Sequence, residues 1–211
     1  MENPDLFEGD IVMPKTRNAV PSDSQRWPGG IIPYVIDPSA NEAKGNIEKA
    51  AQHYSQHTCI RWVPRTNQKD YVRFFKGNGC NSPIGRVGNE QKISLGQGCN
   101  WFATTVHEMM HAIGFDHEHN RSDRDSYIQV HLENVQEQFK FAFNKLQPNQ
   151  NRLYTTFDFG SVMLYGPTAF SKNGQVTMSS KWPGIQVKDH PLDKGLSETD
   201  ITRIKKLYQC K

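Results

Sequence analysis

Residues 107–117 read HEMMHAIGFDH, and their types and spacing prescribe one kind of chemistry. His107 and His111 stand four apart, so on a helix both rings leave the same face and can hold one metal ion. Glu108 follows the first of them, where its carboxylate reaches the ion's remaining coordination position. Gly114 permits a backbone turn that a side chain would resist, and that turn brings His117 back as a third nitrogen ligand. A lone HExxH is also compatible with a solvated or core pair of histidines; the added glycine and third histidine select the metal. Three nitrogens with one position left open describe a catalytic zinc site rather than a closed structural one. The implied chemistry is hydrolysis, of peptide bonds above all.

Such a site needs a buried helix and a scaffold around it. Trp101, Phe102, Ala103 and Val106 give the site helix, about 101–114, an apolar side. Before it, IIPYVI (31–36), IRWV (60–63), YVRFF (71–75) and KISL (92–95) read as strands. A helix over about 41–57 would bury Ile47, Ala50, Ala51 and Tyr54. Together these predict an α+β N-terminal lobe. Beyond His117 the pattern is less regular, with a short helix expected near 134–145. The chain closes on SETDITRIKKLYQC, where Ser197 and Asp200 resemble a capping box and Ile201, Ile204 and Leu207 share a face. Zinc and substrate are expected between the two lobes.

Composition narrows the setting. With 211 residues the chain can form one sizeable domain or two lobes about a cleft. A net charge of +3 with scattered lysines and arginines gives no nucleic-acid footprint, and no apolar run approaches membrane-spanning length. The one basic group, Arg203, Lys205 and Lys206, reads as a solvated helix face. Cys59, Cys80, Cys99 and Cys210 lack CxxC spacing, which points to two disulfides in an oxidising compartment rather than a second zinc site. Spacing alone leaves three pairings open. Met1-Glu2-Asn3-Pro4 has neither a charged n-region nor an apolar h-region, so any secretion signal is expected to have been removed or to precede this sequence.

HEMMHAIGFDHEHNRSDRDSYI (107–128), read with SVMLY (161–165), resembles the astacin family of metzincin endopeptidases. WPGGIIPYVI (27–36), TCIRWVPRT (58–66), YVRFFKGNGC (71–80) and the terminal LYQC resemble astacin segments too, so the likeness runs from about Asn18 onward. The resemblance implies a two-lobed metzincin fold. Its N-lobe, about 18–117, would carry a twisted, mostly parallel sheet and two long helices; an irregular C-lobe, about 118–211, would end in a helix. It also implies the pairings Cys59–Cys210 and Cys80–Cys99. One zinc ion would be held by His107, His111 and His117, with Glu108 as general base. Met163 would pack beneath the metal, and Tyr165 would ligate zinc at rest and swing away to stabilise the transition state.

FEGDI (7–11) resembles the propeptide segment of pro-astacins, which implies that Asp10 occupies the open zinc position. Residues 1–17 would then be a propeptide remnant and 18–211 the catalytic domain. Lys15-Thr16-Arg17 offers a trypsin-like protease a cleavage site after Arg17, and the freed amine of Asn18 would pair with Glu118. The expected protein is a secreted, monomeric zymogen acting on proteins or peptides. Lys181 or Lys188 could read an acidic residue after the scissile bond.

His53, His57, His119, His131 and His190 read as surface or core residues rather than ligands, and Arg121, Asp123, Arg124 and Asp125 as an ion-pair cluster. Asn120-Arg121-Ser122 is a glycosylation sequon whose nearness to the site argues against its use. A secreted binding protein on the same scaffold is the rival reading. A decayed site would lose Glu108 or Tyr165, and both remain.

Overall fold

The computed structural model describes residues 6, 9–12 and 23–211. Five strands form the first layer: β1 (Ile31–Ile36), β2 (Arg61–Pro64), β3 (Tyr71–Phe75), β4 (Cys80–Asn81) and β5 (Glu90–Leu95), in the order β2-β1-β3-β5-β4. All pairings are parallel except that of β4, an antiparallel edge strand against β5. Pro33 sits inside β1 without harm. At that point β1 has β2 beside it, and β3 joins only from Tyr34, so the missing N–H faces no ladder on that second side.

Helix α1 (Lys44–His57) crosses the sheet and buries Ile47, Ala50 and Tyr54, with Ala51 half-buried beside them. It starts later than its apolar period suggests, because Pro38–Ala43 form a 3-10 turn capped by Asp37. The site helix α2 (Phe102–Ala112) lies in the same core and buries Phe102, Val106, Met109, Met110 and Ala112. Tyr54 donates its hydroxyl to the Val106 carbonyl at 2.8 Å, pinning α1 to α2. Helix ends leave carbonyls without partners. At the end of α2, Trp27 Nε1 donates to the Ala112 carbonyl and the Tyr208 hydroxyl to that of Ile113, both at 2.9 Å.

The second half contains a two-stranded antiparallel pair, β6 (Ile128–Val130) and β7 (Met178–Ser180), and a separate aromatic-rich core around Phe139, Phe143, Phe157 and Phe170. The helix expected near 134–145 is a 3-10 segment, Glu137–Phe143, without a side-chain cap; it buries Phe139, Ala142 and Phe143. The chain closes with α3 (Glu198–Tyr208), whose N-terminus carries the Ser197/Asp200 capping box. Ile201 and Ile204 of α3 pack into the first core, with the strands, not into the second.

Cys59 is bonded to Cys210 and Cys80 to Cys99. The first ties the end of α3 to the start of β2, and the second ties β4 to the loop before α2. Among the described residues no helix is long and apolar enough to cross a membrane.

Candidate metal centre

Helix α2 carries His107 and His111 on one face, as a separation of four requires. Gly114 then adopts φ +110°, a left-handed backbone region that a side chain would strain, and the chain turns back to His117. The three rings converge. His107 Nε2 and His111 Nε2 each lie 3.2 Å from His117 Nε2.

Their opposite nitrogens decide what they can do. His107 Nδ1 is 2.8 Å from the Val162 carbonyl and His111 Nδ1 is 2.7 Å from that of Phe115. A carbonyl only accepts, so both Nδ1 atoms carry a proton, and in the neutral ring that leaves both Nε2 atoms bare. Bare nitrogens facing a third at 3.2 Å have only a cation to share. Two nitrogens at ~2.05 Å from a tetrahedral zinc ion would be about 3.3 Å apart, so this donor set fits zinc. Burial lowers His111 below the ordinary imidazole range and His117 to about 4, which favours the neutral, ligating form of each.

Asp10 reaches the same point from the other end of the chain. Its Oδ2 lies 3.2 Å from His107 Nε2, 3.1 Å from His117 Nε2 and 2.9 Å from the Tyr165 hydroxyl, which donates to it. Asp10 and the three histidines form the one metal-capable cluster among the described residues. Burial alone would raise the Asp10 carboxyl, but the three histidines outweigh it and hold it well below the usual carboxylate range. The backbone delivers Asp10 by strand pairing: Ser82 N–H donates to the Asp10 carbonyl at 2.9 Å, and Val12 N–H to that of Ser82 at 3.0 Å. Ile11 between them is buried and bridges to Ser82 in parallel.

Glu108 is 2 % exposed, and its Oε2 has no hydrogen-bond partner among the described residues. Burial first, and then the charge of Asp10, pushes its carboxyl well above the usual range. The Tyr165 ring packs on His117 and His119, with centroids 4.3 and 4.5 Å away. Met163 is buried in the first core, and its carbonyl accepts the Glu118 N–H at 2.9 Å.

Glu118 is fully engaged. Arg203 grips it with two bonds, 2.6 and 2.7 Å, and Arg121 adds one at 3.3 Å. Arg203 is therefore not part of a solvated face: it is 6 % exposed and turned inward, while Lys205 and Lys206 stay outside. A cavity beside this pair is lined by Glu118, Arg121, Arg203, Asp116, Arg152 and Met163 among others. Asp116 was not singled out by its sequence context; crowding by protein pushes its carboxyl up to about 7.

The remaining candidates lie elsewhere. His119 is buried against His117, and His131 shares a hydrogen bond with Ser179 Oγ at 2.8 Å. His53 accepts from the Leu196 N–H and meets Phe102 of α2 edge-on, with His57 tilted against it, away from the metal point. His190 is half-buried and outside the cluster. Arg121 pairs with Asp123 and Arg124 with Asp125. Asn120 is fully buried and donates its amide to the carbonyls of Ala142 and Asn144, so the folded chain offers no glycosylation site there. Lys181 donates to the Asp125 carbonyl and Lys188 is exposed. Arg17 and Asn18 lie outside the described residues.

The model of the astacin peptidase family matches residues 19–209. The chain belongs to the astacin family. It is accordingly a zinc metalloendopeptidase. It is 41 % identical over 215 residues to astacin-like metalloprotease toxin 1 of Loxosceles intermedia, covering 97 % of this chain and 81 % of the toxin. It is 42 % identical over 210 residues to zinc metalloproteinase nas-6 of Caenorhabditis elegans, covering 98 % of this chain but 59 % of that longer protein. Among solved structures, the astacin fold here is similar to high choriolytic enzyme 1, a hatching-enzyme zinc protease of Oryzias latipes. The TM-score is 0.82 at 37 % identity, covering 90 % of this chain and 97 % of that one.

Proposed function

We propose that this chain is the latent form of a secreted, monomeric endopeptidase, with Glu108 as general base, Tyr165 as oxyanion donor and Asp10 as the internal blocker. The observation that carries the reading is the position of Asp10 Oδ2, where three imidazole Nε2 atoms and the Tyr165 hydroxyl converge. A carboxylate there takes the ligand position that hydrolysis needs. The family members named toxin and hatching enzyme, together with two disulfides, support an extracellular setting.

Zinc, which His107, His111 and His117 would hold, would supply Lewis acidity, lowering the pKa of water to about 7 and polarising a carbonyl. The protein does the rest. Glu108 accepts the proton of the attacking water through its free Oε2 and returns it to the leaving amine, so the peptide bond breaks with no net proton change. Tyr165, released from Asp10, donates its hydroxyl to the oxyanion, a contribution on the order of 100-fold or more.

Activation would follow cleavage after Arg17 by a trypsin-like protease, separating a 1–17 remnant from an 18–211 catalytic domain. The freed Asn18 amine would then enter the cavity lined by Glu118 and Asp116. Asp23, five residues on, pairs at 3.1 Å with Arg152 on that cavity's wall, and five residues span up to ~17 Å.

The test is hydrolysis of a quenched fluorescent peptide before and after limited trypsin treatment, with the trypsin then inhibited and Glu108→Ala alongside. Activity that arises on cleavage, disappears with chelator and is absent from a zinc-loaded Glu108→Ala supports the latency, the metal dependence and the general base. Full activity before cleavage sinks the latency, and an active Glu108→Ala sinks the general base.

A further inference from the structure

The capping carboxylate of α3 does more than cap. Asp200 is fully buried, and the cap uses it twice: its Oδ2 accepts the Ser197 N–H at 3.1 Å, and its own N–H donates to Ser197 Oγ at 2.9 Å. Its other bonds leave the helix. Oδ1 accepts the Ser161 hydroxyl at 2.6 Å, and Oδ2 accepts the Val162 N–H at 3.0 Å. An exposed acid would cap α3 as well as a buried one; burying it is costly unless its lone pairs are matched. The turn at 161–164 supplies the hydrogen bonds, and Arg203 Nη1 adds a cation 3.7 Å from Oδ1.

That turn holds the metal ligands. Its Val162 carbonyl accepts from His107 Nδ1 at 2.8 Å, and its Met163 carbonyl accepts from the N–H of Glu118, the residue after His117. The Ser161 hydroxyl that donates to Asp200 also accepts the Met163 N–H at 3.1 Å, so both ends of the turn are referred to one carboxylate. A hydrogen-bonded path thus runs from α3 to His107: Asp200 to Ser161 Oγ, Ser161 Oγ to the Met163 N–H, and the Val162 carbonyl of that same peptide to the ring. The Val162 carbonyl and the Met163 N–H belong to one planar peptide, so holding that N–H on Ser161 Oγ limits where the carbonyl can point. Sequence alone offers Asp200 only as the acid of a capping box.

We propose that Asp200 is a positioning residue for the zinc site, which fixes the turn at 161–164 and through the Val162 carbonyl sets the tautomer and direction of His107. The proposal rests on zinc being held by His107, His111 and His117. Partners that orient ligating histidines commonly change metal affinity about 10- to 100-fold when altered, and Asp200 acts further out, through Ser161.

The test uses the full chain in three forms: wild type, Asp200→Asn and Ile201→Ala. Asparagine keeps the shape but presents an N–H₂ where one acceptor stood. Ile201→Ala loosens the same helix from the first core and removes none of the hydrogen bonds between Asp200 and the turn. Zinc affinity is measured by competition with a chromophoric chelator, and ligand geometry by the visible spectrum of the cobalt-substituted protein. The His107 Nδ1–H is followed by nitrogen-15 NMR of the zinc-free protein. Asp200→Asn is expected to weaken zinc about 10-fold or more, shift the cobalt bands and lose the protected Nδ1–H; Ile201→Ala is expected to lower the melting temperature and leave all three unchanged. If Asp200→Asn does not fold, Ser161→Ala, which removes one bond to the turn and spares the cap, carries the same expectations. Unchanged affinity and spectrum in the folded Asp200 or Ser161 variant overturn the proposal, as does an equal loss in Ile201→Ala. A wild type that binds no zinc overturns the metal reading itself.

Discussion

Replacing Asp10 by asparagine in the uncleaved chain isolates one carboxylate from the segment that carries it. Asparagine preserves the size of the side chain and the two backbone bonds with Ser82, and it leaves Ile11 buried. What is lost is the charge: the hydrogen bond accepted from Tyr165 at 2.9 Å and the anion facing three imidazole nitrogens. A hydrogen bond to a charged group is worth about 1.5–3 kcal/mol. At ~1.4 kcal/mol per decade, that bond alone shifts the open fraction about 10- to 100-fold. Ile11 still contributes about 1.5–3 kcal/mol through burial, so release is partial. Uncleaved Asp10→Asn should therefore hydrolyse a quenched fluorescent peptide about 10- to 100-fold faster than uncleaved wild type. It should stay below either protein after trypsin. The assay needs chains with a mutated cleavage site, Arg17→Gln with Lys15→Gln, so that trace processing does not mimic opening. An uncleaved Asp10→Asn as silent as wild type would refute the reasoning, because the blocking would then come from the strand segment and not from the carboxylate.

Tyr165→Phe in the cleaved chain should lower kcat on the order of 100-fold or more with KM little changed; steady-state kinetics yielding a wild-type kcat would remove Tyr165 from the oxyanion role. Arg203→Ala leaves buried Glu118 with Arg121 alone as its cation, at 3.3 Å, and should cost up to about 3–5 kcal/mol. At ~2–4 °C per kcal/mol the melting temperature drops by up to about 6–20 °C, whereas exposed Lys205→Ala should leave it in place; calorimetry showing equal melting would count against the buried pair. Burial, with help from His57 and Lys49, lowers His53 below its ordinary 6.5, and its ring accepts the Leu196 N–H. The unfolded chain then binds the proton first as pH falls. This contribution to stability is full above about pH 6.5 and is lost as the pH falls toward the lowered folded value. His53→Gln should flatten the difference between urea midpoints at about pH 7.5 and about pH 5.5; an unaltered difference would assign the acid sensitivity to other groups.

Some of this molecule is decided within a few residues. Two histidines four apart share a helix face whatever surrounds them, and Gly114 supplies the turn to His117 at once. Strands β1, β3 and β5 and helices α1 and α3 are long enough to show their apolar periods in the sequence. The strands β4, β6 and β7 have two or three residues each, too few for a period of two, and they exist because a neighbour pairs with them.

Other features have no local signature. Arg203 resembles a surface residue beside Lys205 and Lys206 until Glu118 meets it across 85 positions. The sequon at Asn120 is intact as a string and closed by two carbonyls more than twenty residues downstream. Helix α3 follows the second half of the sequence and packs with the first core, because its apolar face and the Cys59–Cys210 bond both lie there.

The amino-acid order by itself determined the metal-binding chemistry: a donor set at helical spacing is a property of nearest neighbours, fixed by backbone geometry alone. Only the tertiary structure decided what stands opposite that set. Asp10 meets the three histidines from 97 positions upstream of His107, and Tyr165, which packs against the second core, meets them from downstream. Asp200 reaches the turn that orients His107 from a third place in the chain. Those meetings follow from packing and buried hydrogen bonds, which act between residues that are close in space whatever their distance along the chain.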